Sequence, residues 1–553
     1  MNVSATDYAV ISQALHAAAN EMGAKLIRSA YSTVLREARD GASALLDRDG
    51  NVVAQADLIP MQLGPIGMTI KPCLARHPAD TLEEGDFFIN NDPFDGGQHL
   101  PDVFIFTPIF VDGRVIGFAA SVAHHLDLGG GSPGLNSSAT DVFQEGIRIP
   151  PSKYNVQRDW NGGAFERLIA ANVRVPDLTI GDFNAQFSAN AIGAARVKSL
   201  SAKYGVDAVI EVMGAFIDYS ERRMRHAIAQ IPDGVYYGED AVDDDGVTDD
   251  PLTVKVKVEV RGEEVFIDFT GTCAQVMRNV NCPLSSTHSA ALNVVKSVAS
   301  DTDIPYNEGV KRPIHIHVPS GTLLNPTHPA PVRARMEAAY RAFNAIMKAL
   351  AQAVPKRVIA SGFDTTAVIC FSRQEASGYR ISLEIFGGGY GASAQADGCD
   401  AVDSPLSNCS NTPVEALDSE HAFLRVIANQ LEPDSFGHGA QRGGAGFSRH
   451  YRILADDVKL ELYADRFRLQ PEGLFGGTPA RVGHCIVHRG DRAMQVASKS
   501  STWLKKGDVV ELFCGGGAGF GEPSARAPEA IRRDLQSGLL SRDEALSVYG
   551  YRA

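Results

Sequence analysis

The stretch NNDPFDGGQHLPDVFIFTPIF, residues 90–110, runs into VDGR at 111–114 and VIGFAASVAH at 115–124. Two apolar runs joined by an Asp-Gly turn read as a β-hairpin. With Asp112-Gly113 as a two-residue turn, antiparallel partners sum to about 225, which sets Asp102 opposite Ala123 and Pro101 opposite His124. His99, Asp102 and His124 then meet at one end of the ribbon, and the two glycines of GGQHLP give its entry the backbone freedom to turn them together. Two imidazoles and a carboxylate, with a position left open, form the ligand set of a catalytic divalent-metal site, and zinc, manganese and iron all suit it. A hydrogen-bonded loop is the plainer alternative for the same residues. His125 points to the other face of its strand, as a packing residue or a support for the ligands.

Upstream, Asp7 to about Arg36 reads as one helix, because Ile11, Leu15, Ala18, Met22, Leu26 and Ile27 recur near helical spacing without a proline. Ser4 or Thr6 can cap it. A first hairpin follows in ASALLD, RDGN and VVAQAD. Downstream, helical pattern returns between about 161 and 230. The acidic EDAVDDDGVTDDP, residues 239–251, reads as a surface loop or boundary before the alternating strands TVKVKVEV and EEVFIDFTG. An alanine-rich helix is expected from about Met336 to Val354. The last third is glycine- and β-rich and closes in a short helical tail. The fold class expected is α+β, a large mixed α/β chain whose N-terminal helix and hairpins carry the metal site. Three regions are expected: 1–235 with the metal residues, a central 236–380, and a glycine-rich 381–553.

At 553 residues the chain exceeds one ordinary core. Apolar residues at 44% against 21% charged exclude extensive disorder. A net charge of -14 gives no basic footprint for nucleic acid or an anionic membrane. No apolar run reaches membrane-spanning length, and MNVSATDYAV lacks the features of a signal peptide, so a cytoplasmic location is expected. The eight cysteines form no C-x-x-C pair and read as reduced thiols, and charge runs read as solvated faces.

NDPFDGGQHLPD, AHHLDLGG, FQEGIRIPP, NVRVPDLTIGD, GGGYGASAQADG, NTPVE, QRGGAG and GGGAGFGEP follow one another across nearly the whole chain. Together they resemble the hydantoinase B/oxoprolinase family. The resemblance implies the metal-bearing subunit of an ATP-dependent hydrolase of cyclic amides such as hydantoins, 5-oxoproline or lactams. Related acetone and acetophenone carboxylases make a carboxylase subunit the second reading, and a catalytically silent subunit with a structural metal is the third. The family's ligands fall on His99, Asp102 and His124, and its R-D-x-S block, matched by RDGAS, adds Asp40 as a fourth. A salt bridge from Asp40 to Arg36 or Arg39 is the alternative. Met61-Gln62-Leu63 stands where many relatives carry a histidine.

The glycine clusters FGGGYGAS, QRGGAG and CGGGAGFGEP lack the order G-x-x-x-x-G-K-[ST] and read as tight turns and close backbone packing. The resemblance accordingly implies that a separate hydantoinase A-type subunit binds ATP and magnesium, in an A2B2-like hetero-oligomer. Asp127 and Glu145 are candidates to accept a proton or orient a ligand, with turn or capping roles as the alternative. Arg333, Arg335 and Arg442 are candidates to receive a phosphate.

Overall fold

Ser4 caps the first helix, Ala5–Ser29, by accepting the Asp7 N–H, and the helix buries Ile11, Leu15, Ala18, Met22 and Leu26 along one stripe. The computed structural model describes residues 3–299, 303–403 and 405–552. The expected single helix to Arg36 is instead two, since Ala30 turns extended and a short helix, Thr33–Arg36, follows. The cause is Asp182, whose Oδ1 accepts the Tyr31 and Ser32 N–H groups at 2.7 and 3.1 Å and so offers the backbone a partner outside the helix. Asp182→Ala would strand two such donors, one in the buried Ser32. It is expected to lower the unfolding free energy by about 1–3 kcal/mol in denaturant titration, and an unchanged midpoint would contradict this role.

A six-stranded sheet follows, ordered β2-β1-β5-β4-β3-β6. Its strands are β1 (Gly41–Asp47), β2 (Val52–Gln55), β3 (Asp86–Asn90), β4 (Asp102–Val111), β5 (Arg114–His124) and β6 (Ser152–Asn155). Both hairpins expected from the sequence are present. Leu45, Ile109 and Ala119 pack towards the first helix and the long helix Pro176–Tyr204. Leu46, Phe104, Phe106 and Phe118 pack into a separate core with Ile66 and Ile70. Burial on both faces explains why these strands read as continuous apolar runs.

The hairpin register differs from expectation by one residue. A bulge between Ile109 and Phe110 pairs Phe110 with Val115 but Ile109 with Gly117, and beyond it Asp102 lies opposite His124. One extra residue on the bulged strand shifts every later pair, and here it puts the carboxylate and imidazole in the same row.

A second sheet comprises β7 (Gly234–Val242), β8 (Leu252–Arg261), β9 (Glu264–Asp268) and β10 (Ile314–His317), with β9 and β10 parallel. The acidic segment at 239–251 is therefore not all loop, because β7 runs to Val242. Nor are its charges all solvated: Asp240 is buried 2.8 Å from Arg466, and Asp243 accepts the N–H groups of Phe467, Arg468 and Leu469. Against β7 and β8 lies the helix Arg335–Ala351, close to the span expected. A helix that the sequence reading missed, Leu284–Ala299, covers it.

A four-stranded and a five-stranded antiparallel sheet complete the fold, followed by the helices Pro528–Gln536 and Arg542–Tyr549. One core joins Val34, Met61, Val258, Ile346, Leu383 and Tyr463, residues drawn from all three parts of the chain. The glycine clusters pack backbone on backbone: a Cβ at Gly443 would sit 1.7 Å from the Gly517 carbonyl oxygen. Among the described residues no helix is long and apolar enough to cross a membrane, and all eight cysteines are free.

Candidate metal centre

Three neighbouring strands end at one level. Gly41 of β1 pairs with Ala123 of β5, the His124 N–H donates to the Asp40 carbonyl at 3.0 Å, and Asp102 of β4 faces His124. Asp40, His124 and Asp102 thus form a row across the sheet. His99 joins it through a tight turn in which the Asp102 N–H donates to the His99 carbonyl at 3.0 Å. All four are buried.

The inward atoms nearly touch. His99 Nε2 lies 3.2 Å from His124 Nδ1 and 3.2 Å from Asp102 Oδ1, while His124 Nδ1 lies 3.3 Å from Asp102 Oδ1 and 3.4 Å from Asp40 Oδ2. Ligands about 2.0–2.1 Å from a tetrahedral ion stand about 3.3–3.4 Å apart, so the spacing suits a small divalent cation. The salt bridge from Asp40 to Arg36 does not form, since Arg36 is held by Glu37 and Glu420, and the ion-pair partner of Asp40 is His124.

Electrostatics agree with the donor set. Burial, followed by the nearby Arg335 guanidinium, takes the His99 imidazole down to about 3, which leaves it neutral. Its Nδ1 lies 2.9 Å from the Arg333 carbonyl, and a proton there leaves the Nε2 lone pair facing the cluster. Burial works against an ionised Asp102, but His99 and Arg335 outweigh it and hold that carboxyl well below its usual range. Burial pushes Asp40 up to about 6, with Asp102 adding to the rise and His124 opposing it.

Two further residues complete the surroundings. Gln62 Nε2 donates to Asp40 Oδ1 at 2.8 Å and reaches Asp102 Oδ1 at 3.4 Å, while its Oε1 is buried without a partner. A residue of the Met61-Gln62-Leu63 stretch, near which a histidine was expected in relatives, thus orients the carboxylates. Arg335 Nη2 donates to Asp102 Oδ2 at 2.6 Å and Nη1 lies 2.7 Å from His99 Nδ1.

A narrow cavity of about 50 Å³ opens on Asp40, His99 and His124. Ile59, Met61, Leu135, Val368, Leu383 and Ile385 form its apolar wall, and Arg333, Arg335 and Glu337 its polar end. Of the anticipated site residues, Asp127 and Glu145 do not line it. Asp127 accepts from the N–H groups of Gly129, Gly134 and Arg174 and from the Arg174 guanidinium. Glu145 accepts the Val332 and Arg333 N–H groups at 3.0 and 2.8 Å and so fixes the segment carrying Arg333. Arg442 stands apart, paired with Asp400 and Asp534. His125, on the opposite face, meets Gln186 Oε1 at 3.0 Å and packs on Phe183.

Sequence reasoning also missed Glu337. It is 1% exposed, and its one described hydrogen bond comes from the Thr365 hydroxyl. Burial, with Asp465 adding, pushes its carboxyl up to about 8. A carboxyl raised above its unfolded value of 4.5 contributes stability that is present below 4.5 and is lost as pH rises towards about 8. Wild type is therefore expected to lose stability relative to Glu337→Gln, by on the order of 1 kcal/mol per pH unit between pH 5 and 8. Denaturant titrations across that range check it, and a pH-independent difference would mean that Glu337 is ionised when folded.

A mixed α/β chain with His and Asp side chains gathered at the ends of adjacent strands, beside an apolar cavity, is the class that fold and site define. Within that class the chain belongs to the Hydantoinase B/oxoprolinase family, whose model matches residues 4–523. It is 35% identical to the B-type subunit of a "Putative D-/L-hydantoinase" of Pseudomonas sp. (strain NS671), over 98% of this chain and 94% of the relative. The crystal structure of the ATP-dependent caprolactamase from Pseudomonas jessenii superposes with a TM-score of 0.89 at 26% identity, covering 100% of this chain and 96% of that one. The nucleotide-free structure of acetone carboxylase superposes with a TM-score of 0.88 at 19% identity over 99% of this chain and 79% of that one, a likeness of fold.

Proposed function

We propose that this chain is the metal-bearing subunit of an ATP-dependent cyclic amide hydrolase, working with a separate ATP-binding subunit of the hydantoinase A type in an A2B2-like hetero-oligomer. The observation that carries it is the convergence of His99, Asp102 and His124 on one point beside the apolar cavity, with Asp40 against His124. Family membership and the relatives' names support the reaction class and the existence of a partner.

An unstrained amide resists water because its carbonyl is resonance-stabilised. Phosphorylation of the amide oxygen by the partner removes that stabilisation and leaves a carbon open to attack. Zinc, manganese or iron held by the four ligands would supply a Lewis acid and a water acidic enough to ionise near neutral pH. The chain's own residues do the rest. The apolar wall seats the hydrocarbon part of the ring and excludes bulk water. Arg333, on the cavity wall, faces the phosphate-bearing side, while Arg335 and Gln62 hold the carboxylates in place.

The test mixes the chain with its ATP-binding partner, ATP, magnesium and a panel of hydantoin, 5-oxoproline, ε-caprolactam and acetone with bicarbonate. Ring opening with ADP and phosphate release is expected from the mixture only, with neither chain alone opening a ring and this chain alone hydrolysing no ATP. Carboxylation of the ketone without ring opening would transfer the chain to the carboxylases.

A further inference from the structure

Given the ring-opening reading, we infer that Glu337 is the acid that protonates the departing ring nitrogen. Glu337 lines the same cavity as His99, His124 and Asp40. It has one described hydrogen bond, from Thr365 Oγ1, and that hydroxyl already accepts the Asp465 N–H at 3.0 Å, so its single hydrogen goes to Glu337. Lys499 and Arg341 oppose the rise of the Glu337 carboxyl from a distance, but among the described residues no cation forms an ion pair with it. Lys499 Nζ pairs with Asp465 at 3.2 Å and Asp244 at 3.4 Å, Arg341 donates to the Asp364 carbonyl and faces Asp240, and Arg335 is held by Asp102. An ionised Glu337 would be a buried anion with one hydrogen bond and no ion pair, an arrangement that neutralises instead. It therefore holds a proton at neutral pH at the wall of the cavity, and an acid titrating near neutrality is suited to giving that proton up.

The chemistry requires such a donor. Water adds to the carbon of the O-phosphorylated amide, producing a tetrahedral centre that bears hydroxyl, O-phosphate and a nitrogen with one hydrogen. Two exits compete. If the C–O bond to phosphate breaks, its electron pair leaves on the phosphate, and the amide reforms carrying the water's oxygen, with ATP consumed and no ring opened. If the C–N bond breaks, its electron pair passes to nitrogen, which must take a proton to leave as a neutral amine. Glu337 supplies that proton, the hydroxyl oxygen re-forms the carbonyl and releases its own proton to solvent, the product is an acyl phosphate with an open ring, and a second water hydrolyses it to carboxylate and phosphate. The Glu337 carboxylate then regains a proton from solvent.

The test compares the wild-type complex, including its ATP-binding partner, with Glu337→Gln and Glu337→Asp in ¹⁸O-labelled water, using whichever of hydantoin, 5-oxoproline and ε-caprolactam the wild type opens. Glu337→Gln keeps the size of the side chain and removes its acid. Ring opening is expected to fall about 100-fold or more, phosphate release to fall much less, and recovered unopened amide to carry ¹⁸O. Glu337→Asp is expected to restore part of the ring opening. Unchanged ring opening per phosphate in Glu337→Gln, or equal loss of both without label in the recovered amide, overturns the assignment while leaving the ring-opening reading intact. A wild-type complex that opens none of the three amides overturns the reading and this inference with it.

Discussion

Purified chain is expected to carry about one divalent metal ion, and His99→Ala or His124→Ala to remove it, with affinity falling about 100-fold or more. Loss of a supporting residue around a metal typically costs 10–100-fold, and loss of a ligand costs more. Both imidazoles present a nitrogen to the same point, 3.2 Å apart, so neither can be replaced by a small movement of the other. His124 ends β5 and His99 lies in the turn before β4, neither in the apolar cores beneath, so helix and strand content should survive. His125→Ala is the control, since His125 faces the opposite side of β5 and meets Gln186. Elemental analysis and circular dichroism of the three variants check this. Equal metal in wild type, His99→Ala and His124→Ala would remove the centre.

Asp102→Asn separates ATP use from ring opening. The substitution keeps shape and an acceptor for Arg335, but it removes one of two negative ligands, weakens metal binding and makes bound water less acidic. In the proposed reaction the carboxylate acts after the partner has transferred phosphate, so activation is expected to continue while attack fails. Ring opening is expected to drop by about 100-fold or more, in line with loss of metal-assisted attack, with substrate-stimulated ATP cleavage largely retained. Product and ADP measured in the same reaction give the ratio directly. Full ring opening per ATP in Asp102→Asn would make the metal structural.

Much of this centre was readable in the sequence because it depends on local geometry. An Asp-Gly turn and two apolar runs are enough to bring residues near 100 and 124 together. The bulge at Ile109/Phe110 was not readable, since the alternation it breaks is hidden in strands buried on both faces. Gln62 stands out in the sequence as a departure, yet its place depends on the Pro60–Leu63 turn, whose Met61 N–H donates to the distant Leu406 carbonyl. Arg335 and Glu337 reach the cavity from a helix packed far along the chain, where nothing local marks them. Arg335 was anticipated as a phosphate ligand, and its guanidinium donates instead to Asp102. The Leu284–Ala299 helix escaped notice because LSSTHSAALNVVKSVA buries serine and threonine along with its apolar residues, leaving no clear polar face. Asp240 and Asp243 misled for a related reason: composition marks an acidic run as solvated, and only tertiary structure supplies Arg466 and the Phe467–Leu469 backbone as partners.

The most direct measurement is an anomalous difference map from crystals of the metal-loaded chain, recorded at the absorption edge of the bound ion. One peak is expected, about 2.0–2.3 Å from His99 Nε2, His124 Nδ1, Asp102 Oδ1 and Asp40 Oδ2, with Arg335 still on Asp102. A peak elsewhere, or crystals with full metal content in which the two imidazoles hydrogen-bond to each other with nothing between them, would contradict it.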